Sequence, residues 1–157
     1  MRNVILVGMP GCGKSSVGQT LAELCAKRFV DADEKLFETF GMSAGEMINS
    51  HGEEYFRQRE TEVLAELGKQ SGLVIATGGG CVTRKENYKL LHQNGEIFWL
   101  RRSLDKLPTE GRPLSQQGSL EAMFEKRAPM YEAFADFVID NDSGSIEDTA
   151  NAILEAL

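Results

Sequence analysis

With 157 residues, 41% of them hydrophobic, the chain is long enough for one domain with a substantial core and short for two. Its 24 acidic against 17 basic residues give a formal net charge of -7, so an extended phosphodiester backbone is repelled on average and nucleic acid is not an expected partner. No apolar run approaches the roughly 20 residues that cross a bilayer, the chain starts on a strand pattern without a charged leader, and Cys12, Cys25 and Cys81 lack metal or disulfide spacing, so a cytoplasmic protein with reduced thiols is expected.

In chain order, Val4-Ile5-Leu6-Val7 is a continuous apolar run, the pattern of a strand buried on both faces. It leads into Gly8-Met9-Pro10-Gly11-Cys12-Gly13-Lys14-Ser15, a full G-x-x-x-x-G-K-[ST] match lying between a strand and a helix, as a phosphate cradle requires. Glycines let successive backbone N–H groups face the phosphates, and the helix start adds its positive dipole end. Lys14 then serves the β and γ phosphates and Ser15 the magnesium. Nucleotide contacts are expected from Gly11, Cys12, Gly13, Lys14, Ser15 and Ser16, with ATP as co-substrate and Mg2+ as cofactor. A thiol beside a helix N-terminus has a lowered pKa in principle, but a cysteine here is more often a tolerated small residue and no catalysis is assigned to Cys12.

The helix over about 14–27 carries Val17, Leu21, Leu24 and Cys25 at helical spacing, and Phe29-Val30 re-enters a strand with Asp31 and Asp33 at its end. Alternate strand residues face one way, so the two acids would point together at the phosphates. One would support the metal's water shell and the other orient an attacking hydroxyl. The same acids fit as caps for a helix starting near Glu34; the P-loop upstream favours the first reading. Residues 42–50 and 53–69 read as helices, the second with Phe56, Val63, Leu64 and Leu67 as its apolar stripe, and 73–76 as a strand.

After that strand a nucleotide-binding protein often carries a magnesium-holding Asp, whereas this chain has Gly78-Gly79-Gly80. Backbone without Cβ atoms lets a small substrate press close and bond its hydroxyls to N–H groups; a tight turn is the alternative. A helix at 85–93, a turn at Asn94-Gly95 and a strand at 96–100 follow. Pro108, Gly111, Pro113 and Gly118 make 103–119 a surface loop and a candidate lid. A helix at 120–133, a strand at 137–139 and a terminal helix from Ser145, with Asp148 at capping-box spacing, complete the chain. Strands alternating with helices give an α/β fold with a mainly parallel sheet, in which ligands collect at the carboxyl ends of strands.

Read together, GMPGCGKS, Asp31-Ala32-Asp33, Phe56-Arg57-Gln58-Arg59-Glu60, Gly78-Gly79-Gly80, Gly111-Arg112-Pro113-Leu114 and Arg127-Ala128-Pro129-Met130-Tyr131 resemble the shikimate kinases over almost the full length. These are P-loop enzymes, similar to nucleoside monophosphate kinases, that move the γ-phosphate of ATP to the 3-hydroxyl of shikimate in aromatic amino-acid biosynthesis. The resemblance implies one three-layer domain over 1–157 with a five-stranded parallel sheet, the P-loop at 8–15, substrate-binding helices at about 33–60 and a short lid at about 103–119. It further implies a carboxylate clamp from Arg57 and Arg127, with Asp33, Gly78, Gly79 and Gly80 holding the ring hydroxyls. Planar guanidinium groups match a carboxylate's geometry, which suits that division. Glu60, one helical turn on, would hold Arg57.

By the same resemblance Lys14, Asp33 and Arg112 are catalytic, Arg112 closing over the phosphates, and Ser15 with Asp31, the latter through water, holds the metal. Asn141-Asp142-Ser143 would face adenine. The chain departs from the pattern at Lys106-Leu107-Pro108-Thr109-Glu110, where many members carry an Arg-Thr pair. A monomer taking shikimate and ATP is expected. The rivals are a gluconate or nucleoside monophosphate kinase of the same fold and a nucleotide-binding switch, although no Asn-Lys-x-Asp guanine motif is present.

Overall fold

A computed structural model describes residues 2–104, 114–142 and 145–157, with backbone alone for 114–119. Five strands, β1 (Asn3–Val7), β2 (Arg28–Asp31), β3 (Leu73–Ala76), β4 (Gly95–Arg101) and β5 (Phe137–Asp140), pair in parallel in the order β2-β3-β1-β4-β5. Ile5 at the centre of β1 lies opposite Ile75 of β3 and Ile97 of β4, and all three are fully buried. A central strand covered on both faces has no polar side to show, which is why β1 and β3 read as unbroken apolar runs.

Helices α1 (Lys14–Leu24), α2 (Ala32–Phe40), α3 (Ala44–His51), α4 (Glu53–Gly68), α5 (Glu86–His92), α6 (Leu114–Phe134) and α7 (Ile146–Ala156) connect them. α1 and α7 pack on each other and reach β3 and β5, while α4, α5 and α6 gather around β4 and the bend that follows β3. The apolar stripe of α4 is buried, as Phe56, Val63, Leu64 and Leu67 predict. Ser145 caps α7 by accepting a hydrogen bond from the Asp148 amide at 3.2 Å, and Ser43 does the same for α3 from the Glu46 amide. Among the described residues no helix is long and apolar enough to cross a membrane.

Three expectations need correction. α1 stops at Leu24, short of the expected Lys27, and the chain then turns through Ala26 at φ 55. Residues 32–40 form a helix whose start absorbs Asp33, which sequence spacing assigned to a strand end. α6 begins at Leu114, inside the stretch read as loop through 119: Gly118 costs a helix only about 1 kcal/mol relative to Ala, too little to stop one of this length. The expected lid residues 105–113, Arg112 among them, lie outside the described residues.

Candidate active site

The P-loop joins β1 to α1 at the carboxyl edge of the sheet. Gly13 precedes α1 in the left-handed region, at φ 99, and no side chain caps that helix and no acid stands in its first turn. Its first N–H groups and positive dipole end are therefore left for an anion. Lys14 Nζ donates to the carbonyls of Gly8 at 2.7 Å and Met9 at 3.0 Å, which folds the ammonium over the loop. Behind the loop, buried Asn141 donates to the Cys12 carbonyl at 2.7 Å while its own carbonyl oxygen accepts from the Thr149 hydroxyl. Asn141 thus braces the cradle, and Asp142 accepts from the Ser103 amide and hydroxyl; Ser143 lies outside the described residues. Cys12, Cys25 and Cys81 are unpaired.

Asp31 and Asp33 meet the cradle by a route other than strand alternation. Asp31 closes β2 and caps α2, its Oδ1 accepting from the amides of Asp33 at 2.9 Å and Glu34 at 3.2 Å, because an N-cap carboxylate satisfies amides that the helix leaves unpaired. Its other oxygen, Oδ2, accepts from Ser15 Oγ at 2.9 Å. One side chain therefore both caps α2 and touches the P-loop serine. Asp33 sits in the first turn of α2 and still lines, with Asp31, Lys14, Ser15 and Gly78, one cavity of about 560 Å³. Burial raises its pKa above the ordinary value, the charge of Asp31 adds to this, and Lys14 and Arg57 oppose it.

The bend after β3 explains its three glycines by what surrounds each missing Cβ. A Cβ on Gly78 would stand 2.9 Å from a Glu60 carboxylate oxygen and 3.1 Å from one of Asp33, and a Cβ on Gly79 2.9 Å from the Pro10 ring of the P-loop. At Gly80 it would run into the Arg57 guanidinium. The glycines thus admit the protein's own acids, phosphate loop and arginine against the backbone, a reason beyond the expected closeness to substrate.

Arg57 donates to Glu60 at 2.9 Å, lies 4.8 Å over the Phe56 ring and approaches Glu53 at 3.6 Å. Glu60 is 4% exposed; burial raises its pKa against the lowering effect of Arg57, and Arg127 also acts on it. Arg57 and Arg127 therefore reach one neighbourhood from α4 and α6. Tyr131, one turn beyond Arg127 and fully buried, donates its hydroxyl to the Gly79 carbonyl at 2.6 Å, and Arg127 hydrogen-bonds the same phenol. Burial pushes the Cys81 thiol up to about 12, with Glu60 adding to it, which makes that cysteine inert at neutral pH.

Ser15 Oγ and Asp31 Oδ2 are hard oxygen donors facing the cradle, and among the described residues no group of three or more His, Cys, Asp or Glu forms a cage. This fits magnesium, which keeps much of its water and shares phosphate oxygens instead of taking an all-protein site. Sequence reading gave Asn141 an adenine role and left Tyr131 and Arg102 without any. Arg102 follows β4 and lines the cavity. The rule that ligands gather at strand carboxyl ends would have flagged it.

The shikimate kinase family model matches residues 10–157. A shikimate kinase of Cupriavidus pinatubonensis is 38% identical over 164 residues, covering 99% of this chain and 85% of that protein. Among solved structures, a shikimate kinase of Acinetobacter baumannii in complex with shikimate superposes with a TM-score of 0.92 at 34% identity, over 99% of this chain and 92% of the other. One from Aquifex aeolicus gives 0.84 at 27% identity, over 98% and 95%. Likeness of this extent, in sequence as well as in backbone, goes beyond a shared P-loop fold: the chain belongs to the shikimate kinase family.

Proposed function

We propose that this shikimate kinase family member transfers the γ-phosphate of ATP to the 3-hydroxyl of shikimate, giving 3-phosphoshikimate and ADP, as a one-domain cytoplasmic monomer. The observation that carries the reading is that the P-loop lysine, Asp33 and the Gly78-Gly79 backbone line one cavity. Phosphoryl transfer needs little covalent help from a protein; it needs the two reactants aligned and charge neutralised. Lys14 meets the developing charge by trading its loop carbonyls for phosphate oxygens. Asp33, a stronger base than an ordinary carboxylate because burial disfavours its charge, orients the acceptor hydroxyl and takes its proton.

Arg57 and Arg127 bind the acceptor's carboxylate, and the amides of the glycine bend bind its hydroxyls. Magnesium, bound with ATP, would be held by Ser15 and, through water, by Asp31, and would neutralise the β and γ phosphates. Arg112 is proposed to join the phosphates from the segment outside the described residues.

The test is ADP release with ATP and Mg2+, comparing shikimate with gluconate, nucleoside monophosphates and no acceptor. Turnover dependent on shikimate is expected. Turnover with only another acceptor would keep the cradle and remove the acceptor assignment.

A further inference from the structure

Arg102 directly follows β4, and its side chain lines the same cavity as Lys14, Ser15 and Ser16. Its neighbours in sequence are engaged. Arg101 pairs with Asp140 through bonds of 2.7 and 3.3 Å, and Ser103 occupies both oxygens of Asp142. Among the described residues Arg102 has no ion-pair partner: Nη1 makes a long 3.3 Å bond to the Gly11 carbonyl, and Nε is buried without a hydrogen-bond partner. A guanidinium carries five donors in a planar fork suited to phosphate oxygens, and burying one donor unpaired is a penalty that an incoming anion would remove. In a chain of net charge -7, a cation beside the phosphate loop with no ion pair among the described residues therefore needs an explanation.

We propose that Arg102 is a second phosphate-binding cation of the nucleotide site, gripping the ATP phosphate chain from the end of β4 while Lys14 grips it from the loop. The proposal rests on reading the cavity as the site for nucleotide phosphates. Lys14 is engaged by two strong carbonyl bonds, whereas among the described residues Arg102 holds one weak one. Arg102 is thus the more available of the two for first contact with an anion. Giving up the Gly11 bond also frees the loop to settle around the phosphates.

The competing explanation is that Arg102 only braces Gly11. Two variants separate the roles: Arg102→Gln keeps a donor for the Gly11 carbonyl and loses the charge, whereas Arg102→Lys keeps the charge and loses the fork. Calorimetric affinities for Mg-ATP, tripolyphosphate and adenosine are compared in each, with thermal melting as the folding control. Arg102→Gln is expected to weaken ATP and tripolyphosphate about tenfold, as for loss of a charged hydrogen bond, and to leave adenosine within about twofold. Arg102→Lys should recover part of the loss, and KM for ATP should rise without a matching rise in KM for the acceptor. ATP affinity unchanged in a folded Arg102→Gln protein would overturn the proposal, as would an equal loss for adenosine. Binding is read without turnover, so failure of shikimate to be phosphorylated would count against the function proposed above and leave this result standing.

Discussion

At Asp33 one carboxylate is held in a place that favours its neutral form, by burial first and by Asp31 second. The folded state then binds its proton more tightly than the unfolded chain does. The resulting destabilisation appears as pH rises from the ordinary carboxylate value through the raised one, and is fully present at neutral pH. Asp33→Asn should therefore melt at a higher temperature than the parent at pH 7, with the gap closing as pH falls through that window. On the proposed role, kcat should drop roughly 10²-fold or more. Lower stability together with unimpaired turnover would refute both the electrostatic reading and the assignment of Asp33 as base. Such a trade, stability given up where chemistry needs a displaced pKa, is common at active sites.

Between elements, the link that matters most joins α6 to the bend after β3. Tyr131 ties the Gly79 carbonyl to the turn of helix that carries Arg127, and Pro129 between them removes one rung of the helical ladder. Tyr131→Phe keeps the ring's contact with Trp99, at 5.6 Å between centroids, and deletes the hydroxyl's bonds to the Gly79 carbonyl and to Arg127. It should lower stability by about 1–3 kcal/mol, the cost of a buried carbonyl left unpaired. Acceptor KM should rise several-fold while KM for ATP holds; equal changes in both would mean a general loosening. Elements were legible where periodicity was strong: β1, β3 and α4 follow directly from their apolar patterns. The start of α2 was not, because Asp31 and Asp33 at i and i+2 match strand alternation and a capped first turn equally well. The opening of α6 was hidden by Gly118, a local breaker overridden by the rest of a 21-residue helix. That the P-loop, Asp31, Asp33 and the glycine bend face one cavity was readable from motif types; the bracing by Asn141 and Tyr131 was not, since it joins positions 129 and 52 apart in the chain.

Across the whole molecule, the P-loop and the glycine bend, the proposed phosphate and acceptor regions, meet at the centre of the sheet's carboxyl edge, where β1 and β3 run side by side. Ligand there contacts the two strands on which the buried core is built, so binding and global unfolding should be coupled. ATP with Mg2+ at about 100 times its Kd should add roughly 2.7 kcal/mol, and for a chain of this size that raises Tm by about 5–10 °C. A melting curve unmoved by nucleotide at that concentration would mean that the native fold does not bind it. The glycine bend has a consequence for how this protein can change over generations. Pockets usually widen by trimming a side chain, one substitution at a time, but along Gly78-Gly79-Gly80 nothing remains to trim, and any addition meets Asp33 and Glu60, Pro10 or Arg57. Adaptation to a bulkier acceptor would have to proceed through α2, α4 and α6, leaving the floor of the pocket as it is.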